Sequence, residues 1–75
     1  MNIQELERIV SEKMGRKCIA RRWQKNGHDH IYFSYFTSSG NRKEVGYLDL
    51  DRNLVVPARK GRQEEALLAA LKEAQ

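Results

Sequence analysis

The sequence predicts an α+β fold of order α-β-β-β-(β)-α, an antiparallel sheet with two helices packed on one face. Three observations predict it. Apolar residues recur at helical spacing at both ends of the chain. The middle is rich in aromatic and β-branched residues, as strands are. Turn signals at Asn26-Gly27 and at Ser38-Ser39-Gly40-Asn41 cut that middle into strand-length pieces.

The first helix is marked by Ile3, Leu6, Ile9, Val10 and Met14, which form one apolar stripe. Asn2 is placed to cap its start, with Glu5 at the capping-box position, and Gly15 suits the left-handed residue that ends it. Glu5 and Glu7 early, with Lys13, Arg16 and Lys17 late, complement the helix dipole.

Lys17 to Lys25 reads as a first strand with Cys18 and Ala20 on one side and Ile19, Arg21 and Trp23 on the other; the pattern leaves open which side faces the core. Asn26-Gly27 predicts a type I′ hairpin turn, since both residues tolerate positive φ. Ile31 to Thr37 is the second strand, and Glu44 to Asp49 the third, with Leu48 and Leu50 facing the core if Val45 and Tyr47 face out. Arg52-Asn53 turns the chain into a short apolar run, Leu54-Val55-Val56, ended by Pro57. From Gln63 the chain is helix, with Leu67, Ala70, Leu71 and Ala74 inward, Leu68 at the stripe's edge and Glu64 and Glu65 in the first turn.

Seventy-five residues suffice for one domain, 1–75. The lone Cys18 rules out an intramolecular disulfide and a thiolate zinc knuckle, and a single thiol fits a reducing compartment. The acidic N-terminus does not resemble a signal peptide, and no apolar run approaches a membrane span. The expectation is a cytoplasmic protein that makes no use of a membrane.

Charge is unevenly spread. Eleven of the fourteen Lys/Arg residues lie between Arg16 and Arg62, with only four of the ten acidic residues. A basic sheet between more acidic helices points to a nucleic acid, RNA favoured, or to an acidic protein surface as partner. The candidate nucleic-acid-binding residues are Arg21, Arg22, Lys25, Arg42, Lys43, Arg59, Lys60 and Arg62, because each phosphate contact releases condensed counterions. The competing reading is that these charges solubilise the surface and guard strand edges.

If Ile31, Phe33 and Tyr35 point inward, Tyr32 and Phe36 point outward, beside Tyr47 and Trp23. Rings among cations suit base stacking, and they equally suit a protein-binding hot spot. The alternative is that a helix covers part of this face and leaves one or two rings exposed. His28 and His30 fall on one side of a strand, and a histidine near phosphates has the acid/base chemistry to act on a ribose hydroxyl. So few ligands argue against a metal, and no cofactor is expected. Asp49-Leu50-Asp51-Arg52-Asn53 begins like a calcium loop, but Leu54 stands at its sixth position and Lys60 at its twelfth, which excludes one. There is no phosphate-cradling glycine loop and no nucleophile elbow.

The helix–three-strand–helix order resembles the double-stranded-RNA-binding fold. Asn26-Gly27-His28-Asp29-His30 is similar to that family's Gly-Pro-x-His loop without its proline, and Arg59-Lys60-Gly61-Arg62 is a looser version of its Lys-Lys-x-Ala-Lys helix start. The resemblance implies RNA contacts from the first helix, that loop and that helix start. Gly27-His28-Asp29-His30-Ile31-Tyr32 and Leu54-Val55-Val56-Pro57 also resemble the HicA-type mRNA interferase toxins, which share the topology. That likeness implies a metal-independent ribonuclease with His28 or His30 as its catalytic histidine. The serine that precedes the histidine in that family is missing here, and Arg59 stands where a histidine often follows the proline.

Overall fold

Asn2 starts the first helix as its residue type suggests: its side-chain oxygen accepts from the Gln4 and Glu5 amides at 2.9 and 3.3 Å. This computed structural model describes residues 2–75, apart from the side chain of Lys25. Helix α1 (Ile3–Met14) buries Leu6, Val10 and Met14, and Gly15 closes it at φ 74 with its amide donating to Ser11 O. Ser11 then reaches forward, its hydroxyl accepting from Cys18 N at 2.8 Å, and so sets where the chain enters the sheet. Burial raises the pKa of the Cys18 thiol, leaving it a packing residue.

Four strands follow: β1 (Ile19–Lys25), β2 (His28–Phe36), β3 (Arg42–Asp49) and β4 (Leu54–Pro57). They form one antiparallel sheet in the order β1-β2-β3-β4, and helix α2 (Arg62–Ala74) completes the chain. Asn26 and Gly27 make the first hairpin at φ 53 and 76. Helix α1 packs on β1, α2 packs on β3 and β4, and the helices pack on each other. The expected fold class is the observed one, with the fourth strand formed.

The core lies between the helices and one sheet face. Ile31, Phe33, Val45 and Leu48 from the strands meet Leu6, Val10, Ala66, Leu67 and Ala70 from the helices, all essentially inaccessible. Burying a large apolar side chain of this kind stabilises the fold by roughly 1.5–3 kcal/mol. On β1 the inward side is that of Ala20, which is paired with Phe33, so Arg21 and Trp23 face away.

One expectation is corrected. Val45 does not face out with Tyr47; it is fully buried. The pairing shifts between Phe33 and Ser34, which oppose Gly46 and Glu44, so Val45 is the extra residue of a β-bulge. The bulge lets Val45 and Leu48 both point inward. Gly46, at φ 141, allows it: a Cβ there would lie 2.7 Å from Leu67 Cδ1 and from Pro57 Cα and would also strike Val56 O.

Along the outer edge of β1, Glu7 of α1 accepts the Ala20 amide at 2.8 Å, satisfying a donor that no strand pairs with.

Candidate nucleic-acid interface

With both helices on one side, the other face of the sheet is bare, and register decides what stands on it. One row across the strands reads Arg21, Tyr32, Tyr47, Val56; the next reads Trp23, His30, Asp49, Leu54. Phe36, paired with Arg42, lies further along β2 on the same side. Trp23 is 58% exposed and Phe36 55%, while Tyr32 and Tyr47 are half-buried. No helix covers these rings; Trp23 and Phe36 are the exposed ones, and Tyr32 and Tyr47 are partly sunk between their neighbours.

The rings are ordered by one another. Tyr32 and Tyr47 lie 4.9 Å apart between centroids, and His30 meets Tyr47 edge-on at 5.3 Å. Sheet twist makes this face a shallow depression of about 930 Å3, lined by Arg21, Trp23, Tyr32, Arg42, Tyr47 and Val56 among others.

A buried histidine–aspartate contact lies on the same face. His30 Nε2 is 3.6 Å from Asp49 Oδ2, with the two side chains 10% and 5% exposed. Asp49 Oδ1 accepts the Arg52 amide at 3.0 Å. That hydrogen bond, with the nearby charges of His30 and Arg52, holds the Asp49 carboxyl below its ordinary pKa. His30 Nδ1 is buried with no partner among the described residues. The second histidine is more open: His28 Nδ1 lies 3.3 Å from Asp51 Oδ2, which also accepts the Asp29 amide. The two aspartates of the calcium-like stretch therefore tie the hairpin to the β3–β4 turn. No cluster of metal-ligating side chains exists among the described residues.

The eight basic candidates do not form one patch. Arg21 and Arg42 are on the open face, and Arg42 pairs with Glu44 at 3.3 Å. Arg22 turns to the opposite side and is held by Asp29 at 2.5 Å, which lowers the Asp29 pKa. Lys43, Arg59, Lys60 and Arg62 gather where β3 begins and β4 ends, because the Ala58 amide donates to Val45 O. None of these four, nor Arg21, has an ion-pair partner among the described residues. The side chain of Lys25 lies outside the described residues.

The fourth strand has a further effect on placement. It returns the chain to the end of the sheet from which β1 starts, so Arg59–Arg62 and the Asn26-Gly27 turn lie at opposite ends. At about 3.3 Å per residue they are separated by roughly 20 Å.

Asp49 was not among the residues singled out from the sequence for a site. Its partnership with His30 depends on register across a bulged strand pair, which no local pattern encodes. No helix among the described residues is long and apolar enough to cross a membrane. Comparison with family models, curated proteins and solved structures yields no match to this chain.

Proposed function

We propose that this chain is a small nucleic-acid-binding module that takes a single-stranded segment, RNA in preference to DNA, on the open face of its sheet. The observation that carries the reading is the bare sheet face bearing Trp23, Tyr32, Phe36 and Tyr47 beside Arg21 and Arg42. Unstacked bases lie flat on such rings, each worth about 1–3 kcal/mol, while arginines meet the phosphates. The duplex mode implied by the double-stranded-RNA-binding resemblance asks the hairpin loop and the last helix start to act together. Their placement at opposite ends of the sheet favours the open face instead.

The lone tryptophan is itself the probe, because it stands on the proposed surface. Titration with a uridine-rich RNA octamer at low salt should quench its fluorescence, and affinity should fall steeply as salt rises. Phe36→Ala should weaken binding about 5-fold to 150-fold, the equivalent of about 1–3 kcal/mol for one stacked base. No binding at low salt would remove the reading. A stoichiometric acidic protein partner that survives nuclease treatment would replace it with a protein-interaction role.

A second reading, a HicA-type ribonuclease, is favoured by the His30–Asp49 pair. An aspartate that orients an imidazole is the arrangement general-base chemistry uses. Its test is RNA cleavage by the wild type and by a His28→Ala/His30→Ala variant. Equal cleavage by both, or none by the wild type, eliminates it.

A further inference from the structure

We infer that the bound strand continues beyond the aromatic face and over the end of the sheet where α2 begins, where a second contact, made mainly by cations, holds its phosphates. This rests on the reading of the open face above.

The charge distribution carries the argument. Arg42 and six other cations (Arg16, Lys17, Lys43, Arg59, Lys60 and Arg62) stand at this end against Glu44, Glu64 and Glu65. At the hairpin end Arg22, Lys25 and Arg52 are balanced by Asp29, Asp49 and Asp51. Arg8, Lys13, Arg21 and Lys72 are balanced in number by Glu5, Glu7, Glu12 and Glu73. The basic end therefore carries an excess of four positive charges and the hairpin end none.

Pairing sharpens the difference. Asp29 and Asp49 hold Arg22 and Arg52 at the hairpin end. At the basic end only Arg42 has an ion-pair partner among the described residues, and Arg16 lies 4.4 Å over the Tyr35 ring with its charge still available. The two surfaces are continuous, since Arg42 and Ala58 both line the aromatic depression and Arg59 follows directly. Exposed cations in this number, with Phe36 beside Arg42 at the margin toward the aromatic face, match a repeating anion such as a phosphodiester chain, read without regard to sequence.

The experiment compares uridine tetramers with uridine dodecamers on the wild type and on the variant Arg59→Gln/Lys60→Gln/Arg62→Gln. The tetramer is short enough to stay on the aromatic face; the dodecamer reaches the basic end. The wild type should bind the dodecamer with the steeper salt dependence. The variant should lose about two units of that log–log slope on the dodecamer, at about 0.7 per phosphate for a single strand, and keep its tetramer affinity. The extra binding frames of the dodecamer cancel in the ratio of wild type to variant. An equal loss on both lengths, or no loss on either, overturns the inference while leaving the open-face reading intact. Failure of both oligonucleotides to bind the wild type overturns both. Competition by polyglutamate as effective as by RNA overturns it in favour of an acidic protein. If the triple variant does not melt like the wild type, Lys60→Gln alone is used, with about one third of the slope change expected. The difference in wild-type slope between the two lengths remains a test that needs no variant.

Discussion

The two faces of the sheet are made from alternate residues of the same strands, yet their side chains face opposite demands. Ile31 and Phe33 are wholly buried under the helices, while Tyr32 between them stands half-buried on the bare side. On β3 Leu48 is wholly buried and its neighbour Tyr47 lines the open depression. The covered face is mainly aliphatic, with Phe33 wholly buried and Tyr35 packed against the core's edge, and it holds the fold together. The open face keeps its rings beside cations, and a hydrophobic core has no use for that combination. A one-residue step along a strand thus separates what supplies stability from what is available for binding.

That division is easy to break if it is wrong. The largest effect belongs to Phe33→Ala, which should cost about 3–5 kcal/mol in urea unfolding, a large share of the stability of so small a domain. Trp23→Ala, on the open face, should change stability by no more than about 0.5 kcal/mol and yet weaken RNA binding. Comparable losses of stability in the two variants would show that the open face is also structural.

Gly46→Ala sharpens the boundary between the faces. The added methyl collides with β4 and with Leu67 at a φ that side chains rarely adopt, and about 2–4 kcal/mol should be lost. A variant as stable as the parent would mean that β4 and α2 can move away from the bulge.

The smallest effect expected is a dependence on pH. The Asp49 carboxyl, held low first by the Arg52 amide and then by the charges of His30 and Arg52, is more acidic folded than unfolded. Its contribution is complete above the unfolded value of about 3.9 and disappears as pH falls through the lower folded value. Wild-type stability should therefore drop below about pH 4, and Asp49→Asn should be weaker at neutral pH with a flatter acid limb. Identical acid limbs in the two proteins would remove Asp49 from this role.

Much of the architecture was legible because its signals are local. Asn2, Gly15 and the Leu6–Val10–Met14 stripe define α1 within a few residues, and Asn26-Gly27 defines the first hairpin by itself. The inward side of β1 was not legible, since Cys18 and Ala20 compete with Ile19 and Trp23 and only pairing with β2 decides between them. The bulge was hidden for the same reason. Gly46 is its one local trace, and a glycine in a strand does not say which neighbour turns inward. Ala66 was missed on α2 because a small residue adds little to an apolar stripe, although it is wholly buried.

For the site, Tyr32 and Phe36 were identifiable from alternation along β2, whereas the side of Trp23 was left open on β1 and that of Tyr47 rested on a pattern the bulge interrupts; register brings all four to one face of the sheet. The basic residues were identifiable as a set but not as a distribution. Their division between paired cations near the hairpin and exposed ones near α2 follows from the fourth strand, which reverses the direction in which the chain leaves the sheet.

The bond from Ala20 to Glu7 bears on self-association. A sheet whose first strand lies at its margin invites a neighbouring molecule to zip on and extend it, the first step toward fibrils. Here a carboxylate from the protein's own helix already occupies a donor that an incoming strand would need. The chain thus carries its own end-stop, and Glu7→Ala should make it more prone to aggregate on storage at high concentration.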